Sequence, residues 1–227
     1  MSDSDGFIEE VTEELRRDQM LAKLKRYGWI AVLAVLLIVG GAAFSEYRKA
    51  QARAEAEALG DAMLGALDSP EAAERVSALQ SVAASDPQAS AVLALLTASE
   101  QLAADDLEGA VSNLNAVATS GDIPQIYRQI AQFKALTLQA ETLDASARKQ
   151  GFEALAAGTG SLRLLAQEQL ALILVQEGDE AGAIEAYQNI LSDAGVTPDL
   201  QQRALQVIVA LGGEPDLGGT VTDEDNG

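Results

Sequence analysis

The sequence predicts an all-α protein in which a single transmembrane helix precedes an α-solenoid of stacked helical hairpins. Residues 27–45 are 19 consecutive residues without a charged side chain. The chain after them divides into short helical stretches separated by Gly, Pro and Asp turn signals. No stretch combines alternating hydrophobicity with β-branched enrichment, so we expect no strand.

The apolar run is long enough for a membrane helix. At ~1.5 Å per residue it would extend ~28 Å, close to the thickness of a hydrocarbon core. Aromatic side chains lie at both ends, where amphipathic rings meet the interface, and paired glycines allow close helix contact. We therefore predict a transmembrane helix at 27–46. Its predicted anchor residues are Tyr27, Trp29, Gly40, Gly41, Phe44 and Tyr47.

Two other interpretations fit the run less well. A buried globular helix would show polar positions on one side, and none is present. A cleaved signal peptide is suggested by Gly41-x-Ala43, but the 26 preceding residues are acid-rich, unlike a short basic leader. Five basic residues precede the run and three follow it. This asymmetry predicts a cytoplasmic N-terminus and an exported C-terminal domain.

Residues 1–26 are predicted to form a cytoplasmic tail with an amphipathic helix from Phe7 to Arg26. Apolar residues share one approximate stripe, acidic residues come early and basic residues late, which suits the helix dipole. Two interpretations stay open. The stripe is either a docking helix for a partner or a surface-lying extension of the anchor.

The charge excludes one class of partner. The chain has a net charge of −20, and the part beyond the apolar run carries 10 Lys or Arg against 28 Asp or Glu. Such a field repels phosphates, so nucleic acid is not an expected partner. There is no Cys, which is compatible with an oxidising compartment. There is also no His, the commonest general base and transition-metal ligand.

Acidic pairs do not indicate catalysis here. Asp105/Asp106 and Asp179/Glu180 come at predicted helix starts, where carboxylates satisfy unpaired N–H groups. The Gly-rich pieces at 158–160 and 211–213 follow no strand and are too short to hold a phosphate. We therefore expect no enzyme activity, no cofactor, no metal site and no small-molecule substrate.

The helical stretches define the remaining organisation. A stalk is predicted at 47–69, a helical-repeat domain at 70–211 and a disordered acidic tail at 212–227. Within the repeat domain, helices are predicted to start at Asp86-Pro87 and at Asp105-Asp106. The later predicted helices are 126–143, 149–157, 162–177, 180–191 and 198–211.

One helical unit has the spacing of a stacked hairpin. In GDEAGAIEAYQNIL, at 178–191, a glycine ends one helix, a small residue allows a close crossing, and large residues follow on the same face. ADDLEGAVSNLNAV repeats this spacing without the glycine and tyrosine. The predicted packing residues are Ala110, Leu114, Val117, Gly178, Ala183, Tyr187, Ile190 and Leu191.

The unit at 178–191 resembles a tetratricopeptide repeat, with Gly178, Ala183 and Tyr187 on signature positions. The resemblance implies a solenoid of degenerate tetratricopeptide-like hairpins. The layout as a whole, with patterns such as QIYRQIAQFKAL and LAQEQLALILVQEGDEAGAI, is similar to the YfgM-like family. Members of that family are ancillary subunits of the bacterial Sec translocon with tetratricopeptide-like periplasmic domains.

This resemblance implies a membrane-anchored, protein-binding scaffold of the bacterial inner membrane with a periplasmic C-terminal domain. Its expected partners are translocon subunits and exported or periplasmic proteins, including chaperones. The alternative is an accessory structural subunit of another inner-membrane complex.

Overall fold

The computed structural model describes the backbone of residues 3–216 and the side chains of residues 29, 30 and 33–216. The regular secondary structure of this part of the chain is entirely helical, and its residues fall into two compact units, the first ending at Gly60 and the second beginning at Asp61. The predicted all-α class is confirmed for it. Its helices are α1 (Asp3–Ala66), α2 (Ala72–Gln80), α3 (Pro87–Ala103), α4 (Leu107–Thr119), α5 (Gln125–Leu138), α6 (Ala145–Ala156), α7 (Leu162–Glu177), α8 (Glu180–Leu191) and α9 (Pro198–Ala210).

Helix α1 provides the first unit and includes the predicted membrane span. Where side chains are described, no helix combines the length and the apolarity needed to cross a membrane. The predicted span at 27–46 is only partly covered, because the side chains of residues 27, 28, 31 and 32 lie outside the described set. The side chains of the predicted tail at 1–26 also lie outside it, as do residues 217–227 of the predicted acidic tail.

One predicted helix is too long. The segment at 126–143 was expected to be continuous, but α5 ends at Leu138 and α6 already begins at Ala145. At the end of α5, the side-chain amide of Gln139 donates to the carbonyl of Ala135 at 2.9 Å, which satisfies one terminal acceptor. The backbone N–H of Leu143 then donates to the carbonyl of Gln139 in a turn. No Gly or Pro marks this stop in the sequence.

The core of the second unit consists of three clusters, each shared by three consecutive helices. The first joins α3, α4 and α5, the second α5, α6 and α7, and the third α7, α8 and α9. Each helix therefore buries its apolar side against neighbours in the chain, as in a repeat protein. The largest fully buried side chains are Leu79, Leu114, Phe152, Ile173, Tyr187, Ile190, Leu200 and Ile208.

Helices α3 and α4, α5 and α6, and α7 and α8 form three helical hairpins, and the second helix of each has the same burial pattern. Counting from the residue that precedes α4, α6 or α8, the positions four, eight and eleven residues later are all buried. These residues are Ala110, Leu114 and Val117 in α4, Arg148, Phe152 and Leu155 in α6, and Ala183, Tyr187 and Ile190 in α8. Leu191 is half-buried and Gly178 is exposed.

The middle hairpin, α5 and α6, differs at the first of these three positions, where the other two hairpins have an alanine. Arg148 takes the place of the small alanine and is only 7% exposed. Its Nη2 donates to Gln176 Oε1 of α7 at 2.9 Å, while its Nε is buried without a hydrogen-bond partner. The close approach to α5 occurs at Gly151 instead, where an added Cβ would lie 2.6 Å from Leu136 Cδ1. The crossing has therefore moved along α6.

Three helices end in the same turn. The residues that follow the last turns of α3, α7 and α9 have positive φ: 58° at Asp105, 79° at Gly178 and 78° at Gly212. The next N–H donates to the carbonyl five residues earlier, at 2.8 Å from Asp106 and 2.9 Å from Asp179. This is the Schellman motif. Asp105 therefore occupies the left-handed position that Gly178 fills in the better-matching repeat.

The residue after this turn caps the next helix. Asp106 Oδ1 accepts a hydrogen bond from Gly109 N at 2.9 Å, and Asp179 Oδ1 accepts one from Gly182 N at 3.0 Å. The prediction that these acidic pairs mark helix starts is confirmed. In both helices the capping carboxylate lies where a Cβ on the glycine would be, so a larger residue there would force the carboxylate to shift.

Arginine–carboxylate pairs tie separate elements together. Arg75 Nε lies 2.6 Å from Glu100 Oε2 and joins α2 to α3. Both Glu168 oxygens accept from Arg203, at 2.7 and 2.9 Å, which joins α7 to α9. Both Asp193 oxygens accept from Arg163. The N–H of Gly195 and the Arg163 guanidinium lower the pKa of Asp193. Two-pronged pairs of this kind are stronger than single exposed contacts.

The shared turn predicts opposite effects at two positions. Gly178→Ala should lower the free energy of unfolding by about 1–2 kcal/mol, because a Cβ disfavours the left-handed conformation. Asp105→Gly should stabilise the protein slightly for the same reason. Gly160→Ala is the matched control, since its surroundings are open and it has no positive φ. Urea unfolding measures all three. Equal effects at Gly178 and Gly160 would contradict the role of the turn.

The raised pKa of Tyr187 predicts that the free energy of unfolding depends on pH. Burial, and secondarily the charge of Glu168, raise the pKa of Tyr187 to about 12. Below pH ~10 the phenol is neutral in both the folded and unfolded states, so its contribution is intact. Between pH ~10 and 12 the unfolded chain ionises first, and the free energy of unfolding falls. Tyr187→Phe should remove on the order of 1–2 kcal/mol of this alkaline loss. Parallel curves for the two proteins from pH 9 to 12 would refute this expectation.

Candidate protein-binding surface

The first helices of successive hairpins lie side by side. α3 contacts α5, and α5 contacts α7, while α4, α6 and α8 pack against them as the second helices. The α3–α5 junction of this row carries an open apolar pocket. The surface of interest is therefore formed by the first helices of two consecutive hairpins.

We call this cavity the α3–α5 pocket. It has a volume of about 200 Å³ and opens to solvent. It is lined by Leu95, Ala98, Ser99 and Leu102 of α3, Leu114 of α4, and Phe133, Lys134, Thr137 and Leu138 of α5. Its volume is below the 300–1,000 Å³ typical of small-molecule sites. It matches the size of one or two side chains.

Core residues hold the lining of the α3–α5 pocket in position. Phe133 meets Phe152 of α6 edge to face, with ring centroids 5.7 Å apart. This arrangement suits aromatic rings and orients Phe133. Leu114, only 1% exposed, also lines the pocket and belongs to the first core cluster. The pocket is therefore supported by the core of both hairpins.

Apolar exposure continues along both helices away from the pocket. Val92 precedes Leu95 by three residues on α3 and is 40% exposed. Ile126 precedes Phe133 by seven residues on α5 and is 44% exposed. These spacings place each pair on one helix face. The apolar surface thus extends towards the N-terminal ends of α3 and α5.

The charge of this surface differs from that of the chain. Lys134 is exposed and makes no hydrogen bond or ion pair with another described residue. The acidic residue of α3, Glu100, is already paired with Arg75 of α2. α5 carries no acidic residue, and Arg128 donates to the carbonyls of Ser120 and Gly121. The pocket therefore has an available cation and no available carboxylate on α3 or α5.

A second, larger cavity lies between α2, α3 and α4 and has a volume of about 540 Å³. Several of its polar groups already have hydrogen-bond partners within the fold. Asn113 Nδ2 donates to the carbonyl of Ala94 at 3.1 Å, and Gln101 Nε2 donates to Asp106 Oδ2 at 3.3 Å. These two hydrogen bonds belong to the packing of α3 on α4.

Few of the residues that the sequence singled out line either cavity. Of the predicted packing residues, Leu114 alone lines the α3–α5 pocket; the second cavity contains none of them. The predicted anchor residues Trp29, Phe44 and Tyr47 are exposed, and a Cβ on Gly40 or Gly41 would contact nothing. The side chain of Tyr27 lies outside the described residues.

Sequence reasoning missed the pocket residues themselves. Phe133 and Lys134 stand next to each other in QFKAL, and only the packing of α3 on α5 shows that both reach one cavity. Among the side chains that the structure describes, no group of three or more acidic residues is arranged to hold a metal ion.

Comparison with known families agrees with this architecture. The profile of the tetratricopeptide repeat-like domain family matches residues 24–209. No curated protein and no solved structure matches the chain. Proteins with such domains typically act as scaffolds for protein–protein interaction. With a match over most of its length and hairpins that pack only on their neighbours, the chain belongs to the tetratricopeptide repeat-like domain family.

Proposed function

We propose that the protein is a membrane-anchored scaffold that binds other proteins through its helical repeats. The open apolar pocket between α3 and α5 is the observation that carries the binding role. A repeat protein whose hairpins are stacked presents such surfaces without needing catalytic groups. The second unit recruits protein segments, and the first holds it at a membrane.

The anchoring role rests on α1. Its described side chains between Trp29 and Tyr47 include a dense group of exposed apolar residues, such as Leu36 at 65% and Ile38 at 71% exposure. A group of this size in contact with water would be costly, so it needs an apolar environment. Together with the uncharged sequence at 27–45, this supports a membrane span.

We place the protein in the bacterial inner membrane as an accessory subunit of the Sec translocon. The support is the similarity of its layout to the YfgM-like family: short tail, apolar helix, stalk and helical-repeat domain. In this role it receives exported proteins, or the periplasmic factors that handle them. Anchoring places the repeats close to emerging chains and raises their effective concentration.

An accessory subunit of a different inner-membrane complex is the second candidate. Gly40 and Gly41 favour it, because the described helix leaves open space at both positions. Such small residues permit close helix–helix contact in a membrane. In this case α1 makes specific lateral contacts in addition to tethering the repeats.

The orientation predicts a protease result. In spheroplasts of the source bacterium, added protease should remove the part after Tyr47 while an epitope tag before residue 26 stays protected, because basic flanks retain the N-terminus inside. Detergent-lysed spheroplasts should lose both parts. A C-terminal domain protected in intact spheroplasts would overturn the orientation.

Replacing the span separates the two candidates. We exchange residues 27–45 for an unrelated apolar span of equal length and compare the proteins recovered with each chain in mild detergent. A pure tether tolerates the exchange, whereas a helix packed through Gly40 and Gly41 does not. We expect partial loss of translocon subunits. If neither chain recovers any translocon component, the Sec assignment is wrong.

A further inference from the structure

We propose that the α3–α5 pocket binds an extended segment of a partner protein that carries a large apolar side chain next to a carboxylate. This rests on the proposed scaffold function and specifies what the scaffold recognises. The apolar side chain enters between Leu102 and Phe133, and the carboxylate pairs with Lys134.

The size of the pocket selects a side chain over a free small molecule. About 200 Å³ accommodates one or two side chains of the size of leucine and is less than small-molecule sites usually offer. The apolar lining gains free energy from removing such a group from water. Val92 and Ile126 then provide contacts for neighbouring residues of the same segment, since they continue the apolar faces of α3 and α5.

The local charge favours a carboxylate on the bound segment. The chain as a whole, with net charge −20, attracts basic segments and repels acidic ones. The pocket reverses this preference locally, because Lys134 has no hydrogen-bond or ion-pair partner among the described residues and Glu100 is neutralised by Arg75. A carboxylate on the bound segment can accept a charge-assisted hydrogen bond from the Lys134 ammonium. A basic segment would place like charges together there.

The test starts from unbiased peptides. A phage-displayed library of random nonapeptides is selected against the full-length protein in mild detergent. The most enriched peptides are synthesised with a fluorescein label, and their affinities are measured by anisotropy. We expect enriched peptides to place Asp or Glu within a few residues of Leu, Phe or Trp. Enrichment of basic peptides, or of no peptides, overturns the proposal.

Two variants probe the pocket, each with a matched control. Lys134→Glu should weaken binding about tenfold, the effect of losing a hydrogen bond to a charged group. Lys149→Glu makes the same change at an exposed lysine of α6 and should act less than twofold. Thr137→Trp fills the pocket from an exposed position and should weaken binding similarly. Ser112→Trp places the same ring beside the second cavity and should not.

A double-mutant cycle assigns the contact. Changing the peptide carboxylate to its amide should weaken binding to the wild type but not to Lys134→Glu. Equal losses with both proteins overturn the pairing.

Ending the chain at Asp216 tests whether its own acidic terminus fills the pocket. A more than fivefold gain in peptide affinity on this truncation would overturn a partner segment as the occupant.

Failure here is distinguishable from failure of the proposed function. If wild-type protein recovers translocon components but the selection yields no carboxylate-containing peptides, the pocket inference alone is wrong. If it recovers neither, both proposals are wrong. Thermal unfolding of every variant confirms that a loss of binding does not reflect a loss of fold.

Discussion

Close contact of two helices at a small side chain is the constraint on which the rest of the structure depends. Ala110 and Ala183 have no exposed area, and the large residues that follow them fill the cores of their hairpins. Arg148 breaks this rule in the middle hairpin. There the contact moves to Gly151, and the preceding turn runs over residues 139–144. Because each core cluster involves only three consecutive helices, such a deviation is absorbed locally.

Some of the acidic residues have a structural role, which a net charge alone conceals. Asp106 and Asp179 cap helices, and Glu100 and Glu168 pair with arginines of other helices. These carboxylates are therefore already engaged in the fold. One consequence is local: α3 and α5 line a shared apolar pocket, where Lys134 has no partner among the described residues and the one carboxylate of these two helices, Glu100, is paired with Arg75. A strongly acidic chain can thus favour an acidic segment at one site.

The two compact units divide the proposed work. Exposed apolar side chains of the first unit are the basis of the proposed membrane anchor. The second unit buries apolar residues in three clusters and leaves a small apolar pocket open between α3 and α5. A tether raises the local concentration of a weak recognition site, so a pocket for one side chain suffices for transient contacts.

The sequence by itself determined the helical class, the ends of α7 and α8, and the capping roles of Asp106 and Asp179, because these depend on local turn chemistry and periodicity. It also predicted a repeat at 178–191. It did not reveal that Asp105 adopts the left-handed turn of Gly178, or that Arg148 takes an alanine position, since neither residue type signals that role. The pocket around Phe133 and Lys134 was decided only by tertiary structure. Its walls come from three helices, and contacts between helices far apart in sequence leave no local pattern.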